Sequence, residues 1–99
     1  MFAQVSRVQL HPGYEQAALK LWQETLLPAL RQQRGFRGVQ VLYDSYDDLS
    51  MAIEFWESVK DAQNAHSNPV LQQAYEQAAD LLLSGPDLQG YTVLIDERA

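Results

Sequence analysis

The chain of 99 residues is long enough for one compact domain over residues 1–99 and too short for two. Its net charge of −6 argues against a nucleic-acid-binding protein, which needs a positive surface. There is no cysteine, so disulfides, zinc-thiolate sites and thiol nucleophiles are excluded.

The start of the chain and the length of its apolar runs bear on the cellular location of the protein. The sequence MFAQVSRVQLHPG lacks the basic start and the apolar core of a secretion signal. No apolar run approaches the roughly 20 residues that a membrane-spanning helix needs. We therefore expect a cytoplasmic protein that binds neither nucleic acid nor a membrane.

The first part of the chain predicts a strand followed by a long helix. Residues 2–10 alternate well enough for a strand, and neither of its faces is purely polar. Residues 14–34 carry apolar side chains at three- and four-residue spacing, which predicts the helix. Pro28 lies inside this helix without an amide hydrogen, so we expect a kink or a break at residues 25–27. Gly35 is the expected left-handed cap.

The middle of the chain predicts two further strands and a short helix. Residues 37–44 and 51–57 are joined by a short turn, which favours antiparallel pairing. Ser58 and Asp61 then have the spacing of a capping box, so a short helix should begin there and end near His66.

The last part of the chain predicts a second helix and a final strand. Asn68 suits the N-cap and Pro69 the first turn of that helix. Gly85 and Pro86 should end it. Residues 91–96 alternate in polarity and predict the last strand.

The order of elements predicts an α+β protein with a ferredoxin-like βαββαβ subunit and an antiparallel sheet. Such a sheet has helices on one face only, yet all four predicted strands carry apolar residues on both faces. A single subunit would expose an unusually large apolar patch. We therefore expect a homodimeric α+β barrel, in which two subunits pack through their exposed sheet faces.

Short motifs at the ends of these elements resemble a known family. They are Gly35-Phe36-x-Gly38 before the second strand, Phe55-Trp56-Glu57-Ser58 after the third, then Ala62, Ala65-His66 and Ser67-Asn68-Pro69. Together with the element order, they resemble the antibiotic-biosynthesis-monooxygenase-like dimeric α+β barrels. The resemblance implies a pocket between sheet and helices in each subunit. Members include cofactor-independent oxygenases of quinol-like aromatics, haem-degrading enzymes, isomerases and proteins without an established activity.

The haem-degrading branch can be compared residue by residue. Its members use an asparagine on the first strand, a tryptophan on the short helix and a histidine on the long helix that follows. The corresponding positions here resemble Ser6, Ala65 and Tyr75, and none matches. The resemblance therefore favours the branches that need no cofactor.

His66 is the candidate catalytic base. Its ordinary pKa near 6.5 allows proton exchange at neutral pH, and cofactor-free oxygenation needs a base that ionises a phenol or quinol. A purely structural alternative is that His66 ends a helix and interacts favourably with the helix dipole.

Four further residues are candidates for contacts with a small aromatic ligand: Ser6, Trp22, Tyr43 and Trp56. Aromatic side chains on strands and helices can equally well belong to the core. No metal site is expected, because no carboxylate–histidine spacing suggests a ligand set.

Two functions remain open from the sequence. One is a cofactor-independent monooxygenase, or a related tautomerising enzyme, that acts on a quinol-like or carbonyl-rich aromatic compound. The other is a non-catalytic module for ligand binding or assembly on the same barrel. The space between sheet and helices distinguishes the two functions. If the side chains of Trp22, Leu26 and Trp56 fill it, no substrate fits and the non-catalytic function is favoured.

Overall fold

The computed structural model describes residues 1–99. The elements in chain order are β1 (Phe2–Leu10), α1 (Glu15–Leu21), a π segment (Trp22–Leu26), α2 (Leu27–Arg31), β2 (Phe36–Asp44), β3 (Leu49–Trp56), α3 (Val59–His66), α4 (Pro69–Glu76), a 3-10 turn (Ala79–Leu81) and β4 (Leu82–Thr92). None of the helices is both long and apolar enough to cross a membrane.

The four strands form one antiparallel sheet in the order β2-β3-β1-β4. This confirms the predicted ferredoxin-like α+β fold. In the central pair, Gln4 lies opposite Glu54 and Ser6 lies opposite Ala52. Because cross-strand partners share a face of the sheet, these four side chains all point toward the helices.

The break predicted before Pro28 is present as the π segment. Pro28 has no amide hydrogen, so the usual bond to the carbonyl four residues back cannot form. The backbone N–H of Leu27 instead donates to the carbonyl oxygen of Trp22, five residues back. The proline thus changes the hydrogen-bonding pattern of the helix directly at Trp22.

Gly35 has a φ of +81° after the end of α2, as expected for a left-handed cap. A Cβ atom at this position would collide with the side chain of Asp61 in the first turn of α3. Glycine is therefore needed here both for its conformation and for the close approach of α3.

The last strand differs from the prediction. It covers Leu82–Thr92 instead of residues 91–96, and α4 ends at Glu76, well before Gly85. The reason is long-range pairing, because β4 follows β1 along its whole length. Leu94 and Ile95, whose alternation suggested a strand, lie beyond β4 and are 90% and 84% exposed.

Gly85 and Pro86 lie inside β4 and do not end a helix. The register between β1 and β4 shifts between Arg7 and Gln9, directly opposite this pair. Proline is tolerated at such an irregularity because its missing N–H removes no regular ladder bond.

The core fills only one end of the space between sheet and helices. Trp56 is fully buried at the end of β3, packed with Leu26, Leu30 and Leu71. Alanines from α2, α3 and α4 complete this cluster and allow the helices to come close: Ala29, Ala62, Ala65 and Ala74. The space above the other end of β3 remains open.

Candidate functional site

A cavity of about 240 Å³, here called the inner cavity, lies between the sheet and the helices. Its floor includes Gln4 and Ser6 of β1 and Glu54 of β3, and its walls include Trp22, His66 and Tyr75. Twelve of the 18 lining residues are hydrophobic, which suits a ligand with an aromatic ring. Three predicted site residues, Ser6, Trp22 and His66, therefore border one space.

Glu54 is the centre of the polar part of the inner cavity. The residue is only 3% exposed, and its carboxylate accepts hydrogen bonds on both oxygens. Trp56 Nε1 donates to Oε1 at 3.2 Å, and the Tyr75 hydroxyl donates to Oε2. His66 Nε2 lies 2.8 Å from Oε1. These partners compensate for the burial of a charge that would otherwise be strongly unfavourable.

The local sequence explains how these groups meet. Glu54 alternates with Ala52 and Trp56 along β3, so all three face the helices. His66 is the last residue of α3, and the Asn68 side chain accepts from Val70 N to start α4 almost at once. This short junction brings Tyr75 of α4 back over His66.

The His66 and Tyr75 rings stack at an interplanar angle of 21°, with their centroids 5.7 Å apart. Trp56 meets His66 edge-on from the core side at 6.2 Å, so the imidazole is held between two aromatic rings. The backbone carbonyl of His66 also accepts a 3.1 Å hydrogen bond from the Gln72 side chain. These contacts restrict the orientation of the imidazole ring.

The electrostatics of the cluster define which atoms carry protons. Burial raises the pKa of the Tyr75 hydroxyl well above its usual range, and the charge of Glu54 and the hydrogen bond to it raise it further. Tyr75 and Trp56 therefore act as donors. A carboxylate only accepts, so Nε2 of His66 must also donate to Glu54. In the neutral imidazole this leaves Nδ1 as the proton acceptor.

Two predicted ligand contacts lie elsewhere. Trp56 does not line the inner cavity, because it is fully buried in the core. It reaches Glu54 from the core side through its Nε1 hydrogen bond. Tyr43 stands on β2, 41% exposed, with its hydroxyl 2.6 Å from Oδ1 of Asp48. That hydrogen bond is the largest of the effects that raise the pKa of Tyr43 to about 12.

Tyr43 borders a second space of about 420 Å³, here called the outer cleft, between α1 with the π segment and β2. Leu19 and Val41 line it too, and both are more than two-fifths exposed. Trp22 borders both the outer cleft and the inner cavity.

Sequence reasoning missed Glu54 and Tyr75 as site residues. The available signal for Glu54 was an acidic side chain on the helix-facing side of β3, between Ala52 and Trp56. For Tyr75 the available signal was its correspondence to the histidine on the long helix of the haem-degrading proteins, but its contact with Glu54 depends on how α4 is placed. No group of three or more acidic, histidine or cysteine side chains with the arrangement of a metal site occurs in the structure.

The sequence is similar to that of a known protein family. The sequence model of a family described as antibiotic biosynthesis monooxygenase matches residues 1–77. A comparison with curated proteins gives no match.

Several solved structures share the fold at low sequence identity. One from Bordetella bronchiseptica, described as a putative antibiotic biosynthesis monooxygenase, has a TM-score of 0.84 and 14% identity over 95% of this chain and 97% of that one. SnoaB from Streptomyces nogalater, described as a cofactor-independent oxygenase, was solved as a mutant. It has a TM-score of 0.81 and 17% sequence identity over 96% of this chain and 94% of that one. Rv0793 from Mycobacterium tuberculosis has a TM-score of 0.78 and 16% identity over 98% of both chains.

Proposed function

Because this chain belongs to the antibiotic biosynthesis monooxygenase family, we propose that it is a cofactor-independent monooxygenase of a small quinol-like aromatic compound. The observation that carries the proposal is the buried Glu54 carboxylate paired with His66 on the wall of the inner cavity. It gives the chain a histidine oriented for proton transfer beside a space that can hold an aromatic ring.

The inner cavity favours a small and largely apolar substrate. Its volume of about 240 Å³ lies below the range of about 300–1,000 Å³ that is typical of sites for drug-sized ligands. Gln4 and Ser6 on the floor offer uncharged hydrogen-bonding groups. They suit the hydroxyl and carbonyl oxygens of a quinol-like compound.

His66 is the base in this proposal. Glu54 accepts from Nε2, so the neutral ring has its lone pair on Nδ1 and can remove a proton from the substrate there. The imidazolium that results is stabilised by the adjacent carboxylate. Glu54 is thus a positioning residue, and the Tyr75 hydroxyl holds its second oxygen in place.

The oxygenation itself uses electrons from the substrate. Loss of a proton to His66 gives a carbanion conjugated with the aromatic ring, and its carbon forms a bond to O₂. The peroxide anion takes a proton back from His66. The O–O bond of the hydroperoxide then breaks, its terminal OH leaves as water with the second hydrogen from that carbon, and a carbonyl group remains. For an anthrone-like methylene, the balance is CH₂ plus O₂ to C=O plus H₂O.

Oxygen uptake with a panel of quinols and anthrones tests the proposal. We expect turnover by the parent protein and a loss of about 100- to 10,000-fold in His66→Gln. His11→Gln is the matched control, because His11 does not border the inner cavity. Binding of these ligands without any oxygen uptake would identify a ligand-binding module and overturn the enzymatic proposal.

We also propose that the protein is a homodimer that packs through the sheet face opposite the helices. Ile53 and Phe55 of β3 lie on that face, because they alternate with Ala52 and Glu54. On the edge strands, Leu42 is 49% exposed on the same face. An apolar face of this kind is typical of a protein interface.

A further inference from the structure

The inner cavity and the outer cleft meet along one line of side chains. Four residues border both spaces: Leu10, Ala18, Trp22 and Ser50. Trp22 is by far the largest of them. We propose that its indole is the partition between the two spaces and sets the upper size limit of the ligand in the inner cavity. This inference relies on the proposed function only for the aromatic class of the ligand.

The remaining shared residues cannot form the partition alone. Ala18 and Ser50 have small side chains. Leu10 is 4% exposed and is fixed at the end of β1 by its ladder contact with Leu82 of β4. The indole of Trp22 is therefore the largest side chain that borders both spaces, and we expect its removal to join them.

Contacts with the Glu54 cluster hold the partition in place. The Trp22 ring meets the Tyr75 ring edge-on, with centroids 6.3 Å apart and an interplanar angle of 84°. The Tyr75 hydroxyl is bonded to the buried carboxylate of Glu54. The wall of the cavity is thus linked to the same network that orients His66.

The position of Trp22 follows from the sequence. Pro28 interrupts the helix, and Trp22 is the first residue of the π segment that results. Its carbonyl accepts from Leu27 N–H, so the indole is carried at the point where the helix widens. Single π-helical turns occur frequently at functional sites.

The two volumes give the expected consequence. The inner cavity of about 240 Å³ is small, whereas the outer cleft measures about 420 Å³. Once joined, they would fall within the range of about 300–1,000 Å³ for larger organic ligands. Loss of the indole should therefore strengthen the binding of large fused-ring compounds, such as four-ring ones, that the parent protein binds weakly.

Calorimetric titration with two uncharged ligands tests the inference. The probes are a hydroxylated naphthoquinone, which is bicyclic, and a hydroxylated naphthacenequinone, which is tetracyclic. We expect the parent protein to bind the tetracyclic compound about tenfold more weakly than the bicyclic one. Trp22→Ala should bind the tetracyclic compound about tenfold more tightly than the parent does. Leu19→Ala, which enlarges only the outer cleft, is the control and should match the parent.

Each of the following results would overturn the inference: equal affinity of the parent for both compounds, no gain in affinity for the tetracyclic compound in Trp22→Ala, or an equal gain in Leu19→Ala. Failure of the parent to bind the bicyclic compound would overturn it too. Trp22→Leu repeats the test if circular dichroism shows that Trp22→Ala is unfolded. Because the assay measures affinity and not turnover, a parent protein without oxygen uptake would refute the proposed function and leave this result intact.

Discussion

His66 at the end of α3 and Glu54 in the middle of β3 form a hydrogen-bonded pair, with Nε2 2.8 Å from Oε1. The carboxylate side chain is 4% exposed, whereas the imidazole is 28% exposed. Both residues border the inner cavity, but Glu54 is the more deeply buried partner and His66 the more accessible one. This difference in exposure suits a buried carboxylate that orients the imidazole and an accessible imidazole that exchanges protons with a ligand.

Replacement of Glu54 by glutamine should destabilise the protein by about 1–3 kcal/mol. The amide keeps the volume but replaces one acceptor oxygen with a donor NH₂ group. Trp56 and His66 share one oxygen and Tyr75 uses the other, so at least one donor loses its partner. Urea unfolding of Glu54→Gln measures the change.

Glu57→Gln is the control for the Glu54 experiment. Glu57 pairs with Arg37 at the surface, where its side chain is 56% exposed. Such pairs contribute little, so its loss should change the unfolding free energy by less than about 1 kcal/mol. Equal effects of the two substitutions would contradict the central role given to Glu54.

Tyr75 should make the protein sensitive to alkaline pH. Its pKa is raised in the folded state, first by burial and then by Glu54. The resulting stability is fully present below the unfolded pKa of about 10 and is lost as the pH rises through the folded value. Unfolding free energies measured between pH 8 and 11 should fall for the parent and fall less for Tyr75→Phe.

An ultraviolet titration of the tyrosines checks the same point independently. The chain has five tyrosines. Tyr43 and Tyr75 should ionise later than an unperturbed tyrosine. Tyr75→Phe should remove one late-ionising group, whereas Tyr46→Phe, at a side chain that is 92% exposed, should leave both late-ionising groups in place. Ionisation of the Tyr75 hydroxyl near pH 10 would show that it is not bonded to Glu54.

The sequence predicted those parts of the fold that depend on local pattern. Alternation placed Glu54 on the side of β3 that carries Trp56, and the caps at Ser58 and Asn68 accept from Asp61 N and Val70 N. Long-range relationships escaped prediction. Glu54 meets partners 12 and 21 residues away. β4 is defined by pairing with β1 and not by the alternation of residues 91–96.

Gly35→Ala should destabilise the protein more than Gly13→Ala. Both glycines have positive φ, +81° and +84°, so both substitutions carry the backbone cost of about 1–2 kcal/mol. Only at Gly35 would the added Cβ meet a neighbour, the side chain of Asp61. The difference between the melting temperatures of the two variants measures the destabilisation caused by that collision. Equal losses would mean that α3 can shift away from Gly35 without cost.

The proposed homodimer predicts that a charge on the outward sheet face will separate the subunits. Ile53 lies in the centre of that face, opposite Val5 of β1 and Gln40 of β2. Lysine at this position would be buried without a partner in the dimer, which is strongly unfavourable. Light scattering at micromolar concentration should therefore show a dimer for the parent and a monomer for Ile53→Lys.

Val70→Lys is the control for the dimer experiment, because Val70 is 51% exposed on α4, on the helix side of the sheet. It should remain a dimer. Leu42→Lys, at the exposed edge strand β2, repeats the test at a position where a lysine is less disruptive to folding. A parent protein that is monomeric at micromolar concentration would refute the interface, because the apolar residues of this face would then remain in contact with water without causing association.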